Sequence, residues 1–228
     1  MNNIMNDKSR ETNTVKLVGK VASEKTFSHE MYGEGFYTID LEVPRLSSSV
    51  DLLPVTISER LIVNMDLSVG KYVIIEGQLR SYNRYVDNNN RLILTIFAKD
   101  IFLPDEEELK EAIRKPNEIF LDGYICKKPI YRTTPFGREI TDILIAVNRA
   151  YNKSDYIPCI AWGRNARFCE NMLVGDHIRL WGRVQSREYQ KKLPSGKVET
   201  RMAYEVSISK LEYIENDNNR LDAFELEG

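Results

Sequence analysis

The chain has 228 residues, 42% of them apolar and 29% charged; that balance sustains a folded core, excludes global disorder, and leaves room for one large or two small domains. Its apolar runs fall far short of the roughly 20 residues a membrane helix needs, and the polar stretch Met1–Glu11 gives no sign of a secretory signal. Three cysteines without a Cys-x-x-Cys pair and only two histidines, His29 and His177, point to reduced thiols, a cytoplasmic setting and no metal site.

Taken in chain order, the sequence reads as two copies of one domain. After a polar N-terminal segment, 1–11, that is expected to be disordered, Val15-x-Leu17-x-Gly19 opens the first copy and returns 104 positions later as Ile119-x-Leu121-x-Gly123. Ile39, Leu41, Val43 and Arg45 return at the same offset as Ile143, Ile145, Val147 and Arg149, and Asp51-x-x-Pro54 returns as Asp155-x-x-Pro158. One residue is then inserted, so Gly77 and Ser81 match Gly182 and Ser186. A fixed offset over this length marks a duplication, with domains expected at 12–104 and 116–214.

Within each copy the apolar period is two, the mark of strands with one buried face. Val15/Leu17/Val21, Ile39/Leu41/Val43, segment 51–57, Val73/Ile75/Leu79 and Leu92/Leu94/Ile96/Ala98 give five strands, and the second copy repeats them. Ala166, Cys169, Met172 and Leu173 show helical spacing between its third and fourth strands, and Gly175 stops the run. Five strands with a helix before the fourth, in about 100 residues, predict an all-β chain of two tandem five-stranded Greek-key barrels of the OB type. Between them, residues 105–115 place acids first and bases last and are followed by Pro116, which predicts a short helical linker. The end, 215–228, is acidic and expected to be disordered.

The net charge of −2 conceals an asymmetry: residues 12–104 carry 10 Lys and Arg against 11 Asp and Glu, whereas residues 116–213 carry 16 against 11. A basic barrel suits a polyanion. OB barrels hold single strands on a basic groove with aromatic platforms, because every base has a π-face. The second copy interleaves both kinds of residue. Tyr151 lies between Arg149 and Lys153; Tyr156 and Trp162 share one parity of the third strand, with Arg164 after them; Tyr189 lies between Arg187 and the pair Lys191 and Lys192. A Pro194-Ser195-Gly196 turn with Lys197 then tips a basic hairpin. A core position also fits Trp162, and Tyr156 shares its parity with Ile160. Trp181 has the parity of Arg179 and Arg183, opposite to Ile178 and Leu180, so it points outward, as a subunit interface or a further platform. No phosphate-cradling or nucleophile-elbow motif is present, so neither catalysis nor a cofactor is expected.

These runs, from Asn117-Glu-Ile-Phe-Leu-Asp-Gly123 through Asp155-Tyr-Ile-Pro-Cys-Ile-Ala-Trp-Gly-Arg-Asn-Ala166 to Gly182-Arg-Val-Gln-Ser-Arg-Glu-Tyr189, resemble the bacterial single-stranded DNA-binding proteins. The resemblance covers nearly all of residues 116–212. It implies an OB fold and binding of single-stranded DNA without strong sequence preference, with base stacking at Tyr151, Tyr156, Trp162 and Tyr189. It further implies a homodimer that assembles four barrels, and replication or repair proteins as partners. At the matching positions the first copy has Ser47, Leu52, Ser58 and Arg84, so its platforms are expected to be lost, although Tyr82 and Tyr85 lie nearby. The tail is acidic but ends Phe224-Glu-Leu-Glu-Gly228, which departs from the family's usual apolar tip. A protein-binding or RNA-binding OB protein of the primosome type is the alternative.

Overall fold

Alternation becomes strands throughout. The computed structural model describes residues 11–86, 89–192 and 196–215. The first repeat forms β1 (Asn13–Val21), β2 (Thr26–Met31), β3 (Glu34–Pro44), β4 (Val50–Ser58), β5 (Tyr72–Val86) and β6 (Asn89–Phe102). The second forms β7 (Asn117–Thr133), β8 (Glu139–Asn148), β9 (Ser154–Trp162), β10 (His177–Lys192) and β11 (Val198–Ile214). Helices α1 (Glu59–Ile62) and α3 (Arg164–Glu170) follow the third strand of each barrel, and α2 (Glu106–Ala112) joins the two. The segments read as disordered, 1–11 and 215–228, fall outside the described residues apart from Glu11 and Glu215, as do Pro194 and Ser195 of the hairpin turn.

Helix α2 forms where the acids and bases of 105–115 suggest. Asp105 caps it and accepts from the amides of Glu107 and Glu108, while Glu108 reaches back to the Asp105 amide, a reciprocal capping box. Helix α3 is shorter than the spacing through Leu173 implies: it ends at Glu170, burying Ala166 and Cys169. Burial pushes the Cys169 thiol up to about 12, consistent with a packing role.

Five strands are expected per repeat, and the first repeat has six. Strand β7 runs unbroken along β8 through irregularities at Ile125–Lys127 and Lys127–Ile130. Its counterpart opens at Ala22–Lys25, where the Asp40 amide donates to Ser23 Oγ at 2.9 Å instead of to a ladder carbonyl. Strands β1 and β2 are thus two pieces of one arm, both paired to β3. In the second barrel the order is β7-β8-β9-β11-β10 and back to β7, with β9 and β11 parallel and the other pairs antiparallel. The first barrel closes likewise, with β4 and β6 parallel. This is the OB arrangement, present twice. Leu17, Leu41, Ile57 and Ile75 fill one barrel, and Leu121, Ile145, Ile157 and Leu180 the other, all without exposed surface.

The two barrels share one sheet. Strands β1 and β7 pair antiparallel, with Val15 opposite Ile119, the two residues that the repeat itself equates. A pseudo-twofold axis therefore passes between them, and contacts on one side of the seam have counterparts on the other. Asp155 of the second barrel is fully buried; it accepts from Arg80 Nη1 at 3.0 Å and the Ser81 amide at 2.6 Å, both of the first barrel, and pairs with its own Arg149 at 3.2 Å. Asp51 of the first barrel accepts from Arg183 Nη1 at 3.1 Å and the Ser186 amide at 2.8 Å, and pairs with its own Arg45 at 2.6 Å. The repeated Asp and Ser positions are each other's partners across the seam.

Removing Asp155 leaves two arginines and a buried amide without their acceptor. Asp155→Ala is expected to lower the stability of the whole chain by about 3 kcal/mol, the scale for breaking a buried pair from one side. Urea unfolding of the full chain measures it, and a loss under about 1 kcal/mol would show the seam to be dispensable.

Candidate nucleic-acid interface

The outward face of the second barrel is built on β8 and β9. In β9 Ile157, Cys159 and Ala161 join the core, Asp155 is buried in the seam, and Tyr156 and Trp162 have the parity opposite to the core residues. Tyr156 and Trp162 are both exposed. Six residues of strand separate them, roughly 20 Å. The Trp162 indole N–H donates to Ser207 Oγ on β11 at 3.2 Å, which fixes the ring against the barrel wall and leaves its face open. Arg132, Ile140 and Trp162 are successive cross-strand partners on β7, β8 and β9 and form a transverse row.

At one end of this face, the β8–β9 connection carries Tyr151, which is 95% exposed. Tyr151 has φ 62° and Asn152 φ 53°, left-handed values that cost a non-glycine residue roughly 1–2 kcal/mol. The Arg149 amide, donating to the Lys153 carbonyl at 2.7 Å, closes the loop around them. Lys153 is exposed in the loop, and Arg164 is exposed just after Trp162 at the start of α3. Arg149 is different: its guanidinium lies on Asp155, and its Nε is buried without a hydrogen-bond acceptor. Its charge serves the seam.

Tyr189 is not beside Trp162. The paired arms of β10 and β11 leave the second barrel and lean on the first, where the Leu52 amide donates to Ser186 Oγ at 3.0 Å and Arg45 donates to the Ser186 carbonyl at 3.1 Å. Tyr189 lies beyond that contact, opposite Arg201, with Arg187, Lys191 and Lys192 exposed along the same arm. Arg187 approaches Glu205 only to 3.7 Å. Reciprocally, the arm of β5 and β6 leans on the second barrel, where the Tyr156 amide donates to Ser81 Oγ at 2.7 Å. Tyr82 and Arg84 on that arm are exposed and line a cavity with Arg149 of the second barrel. Residues read as one groove are thereby divided between two surfaces, each completed by the other barrel.

Trp181 faces outward next to the pseudo-twofold axis. It packs on Phe120 with ring centres 5.1 Å apart, and Lys210 Nζ stands 4.4 Å above it. Together with Val15, Ile119, Lys16 and Glu76 these rings line a shallow cleft of about 310 Å³.

The sequence reading missed two aromatic residues. Phe136 and Tyr32 stand at the tips of the β7–β8 and β2–β3 hairpins, 90% and 100% exposed, each followed by a glycine at positive φ. They are 104 residues apart, the offset of the repeat.

A line of aromatic rings among cations on an open OB-barrel face is the kind of surface on which this fold can stack nucleobases. The sequence pattern of the single-strand binding protein family matches residues 116–214. Single-stranded DNA-binding protein 1 of Staphylococcus aureus is 35% identical over 83 residues, which cover 33% of this chain and 50% of that protein. Single-stranded DNA-binding protein 2 of Listeria monocytogenes is 30% identical over 113 residues, 46% of this chain and 68% of that protein. The chain belongs to the single-strand binding protein family. It spans about half the length of the first curated relatives it matches. The crystal structure of the single-stranded DNA-binding protein from Thermus aquaticus shares its fold over both barrels, with a TM-score of 0.70, 18% identity, and coverage of 90% of this chain and 93% of that one.

The strained loop gives a test. Tyr151→Gly relieves the left-handed backbone and is expected to stabilise the chain by up to about 1 kcal/mol. Thermal unfolding reads the sign, and a lower melting temperature would mean that the ring makes packing contacts of its own.

Proposed function

We propose that this protein binds single-stranded DNA without strong sequence preference, mainly through its second barrel. In that role it shields exposed strands during replication, recombination or repair. The carrying observation is the line formed by Tyr151, Tyr156 and Trp162 along one outward face, with Lys153 and Arg164 beside it. Tyr189, Arg187, Lys191 and Lys192 take up the strand on the projecting arm, where it passes toward the first barrel. Stacking contributes roughly 1–3 kcal/mol per base and is indifferent to sequence. Cations add a term that weakens with salt. Arg149 contributes by holding the Tyr151 loop, since its guanidinium is engaged by Asp155. The setting is cytoplasmic and nucleoid-associated; among the described residues no helix is long and apolar enough to cross a membrane. The relatives' names support the choice of DNA over RNA or a protein partner.

The cleft at Trp181 supports assembly of two chains into four barrels, with the rings of Trp181 and Phe120 covered in the interface. Replication or repair proteins are the expected partners of such an assembly. Trp181→Glu should shift the full chain toward monomer in sedimentation equilibrium; unchanged mass would exclude this face as the interface.

Both tryptophans of the chain lie in the second barrel, so intrinsic fluorescence reports on it. Titration of the full chain with oligo-dT at two salt concentrations is expected to quench the emission strongly. Trp162→Ala should weaken binding by roughly 1–3 kcal/mol with the salt dependence intact. Lys191→Ala combined with Lys192→Ala should instead flatten the slope of log affinity against log salt by about 1.4, at about 0.7 for each phosphate that is no longer neutralised. An unquenched, salt-independent titration would remove the reading altogether.

A further inference from the structure

Phe136 has no use inside the chain. It stands 90% exposed at the tip of the β7–β8 hairpin, which rules out a packing role. The turn beneath it is well fixed: the Gly137 amide donates to the Thr134 carbonyl at 2.9 Å, the Thr134 amide to the Arg138 carbonyl at 2.8 Å, and the Arg138 amide to Thr134 Oγ1 at 3.0 Å. Gly137 supplies the positive φ of 73° that the turn requires. A rigid turn therefore presents a large apolar ring to solvent.

Its position continues the line of rings. From Phe136 the turn leads four residues on to Ile140, the second residue of β8 and the cross-strand partner of Trp162. Four residues span at most about 14 Å, so the tip lies within that distance of the Trp162 row. Tyr151, Tyr156 and Trp162 follow one another along the outward face, and the Phe136 hairpin opens at the Trp162 end.

The charge of the arm that carries the tip points to its occupant. Residues 127–138 hold Lys127, Lys128, Arg132 and Arg138 and no acid. All four are exposed, and Arg132 is shared with Asp142 at 2.8 Å. The equivalent residues of the first barrel, 23–34, hold Lys25 against Glu24, Glu30 and Glu34. Tyr32 occupies the matching tip and is fully exposed, but on an acidic hairpin that repels phosphate. The duplication thus carries its own control, with the same aromatic-glycine tip on a basic and on an acidic arm.

From this we infer that Phe136 is a further base-stacking platform. With Arg138 beside it, and with Lys127 and Lys128 further down the same arm, it grips the end of the bound single strand, whereas Tyr32 makes no contact with that strand. The inference rests on the second barrel binding single-stranded DNA, as proposed above.

The test measures the affinity of full-length variants for fluorescein-labelled oligo-dT by anisotropy. Phe136→Ala is expected to lose about tenfold, the scale of one stacked base, with the salt slope unchanged. Tyr32→Ala should bind as the parent does. Phe136→Trp in a Trp162→Phe, Trp181→Phe background supplies the sole indole at the tip, and oligo-dT should quench it. Undiminished affinity in Phe136→Ala together with an unquenched tip indole overturns the inference, and would assign the ring to a protein partner instead. A tenfold loss in Tyr32→Ala also overturns it, because the contrast of charge would then carry no information. If the parent itself does not bind oligo-dT, the underlying reading fails first. If the parent binds, Trp162→Ala weakens it and Phe136→Ala does not, this inference fails alone. The ring is solvent-exposed, so the melting temperatures of the tip variants should match the parent.

Discussion

Two buried carboxylates hold this molecule in one piece. Asp51 and Asp155 each lie inside the seam between the barrels, and each draws part of its hydrogen bonding from the opposite barrel. A buried carboxylate is costly unless it is paired and hydrogen-bonded. Neither barrel alone can satisfy its own aspartate in this way, since Ser81 and Ser186 present their amides only when the arms are docked. Folding of the barrels and their mutual placement are therefore linked, even though the backbone joins them only through α2 and its flanks. The seam gives the first barrel a structural role of its own: it completes the buried site of Asp155 in the second.

The repeat tolerates exchange wherever the exchange preserves a pair. Gln78 and Arg80 on β5 correspond to Arg183 and Gln185 on β10, so the arginine has moved two residues along the same strand face. In either position it reaches the aspartate across the seam, and the glutamine accepts from the arginine in both cases. Near the far end of the sheet, Lys20 over Tyr72 in the first barrel corresponds to Tyr124 stacked with His177 in the second. On the projecting arms, Tyr82 and Arg84 answer Arg187 and Tyr189. Position-by-position comparison reads these as losses. Because i and i+2 share a strand face, the geometry reads them as rearrangements. The surfaces that truly differ are the outward face, where Ser47, Leu52 and Ser58 replace three rings, and the hairpin, where charge has changed sign.

Much of this was legible because a strand's period and a duplication's offset are local signals. The alternation of Ile143, Ile145 and Val147 places them in the core, and the shared parity of Tyr156 and Trp162 turns both rings outward. The recurrence of Asp51 and Ser81 as Asp155 and Ser186 was visible, but not its meaning. Each aspartate meets the serine of the other copy, 74 or 135 residues distant along the chain. For the same reason the pairing of Arg149, a groove cation in the sequence reading, with Asp155 was not legible. The break between β1 and β2 depends on one serine hydroxyl replacing a ladder bond, and periodicity does not register such a replacement. Phe136 lies in a turn, where no period operates; its signal was the offset of 104 from Tyr32, which holds in the loops as well as in the strands.

The seam and the binding face meet at Asp155. Strain in a loop persists only where the surroundings over-determine its conformation. Tyr151 and Asn152 sit in left-handed backbone, a state that a free loop would leave. The loop is closed by the Arg149 amide on the Lys153 carbonyl, the Arg149 guanidinium pairs with Asp155, and Asp155 accepts from Arg80 and Ser81 of the other barrel. The result is an aromatic ring held out in solvent at little further entropic cost on contact with a ligand. Trp162, tied to Ser207, and Phe136, mounted on a closed turn, are prepared in the same manner. On the function proposed above, a surface that accepts any base cannot rely on specific hydrogen bonds for its affinity. It gains instead from rings already in place, and one buried carboxylate between the barrels helps to keep them there.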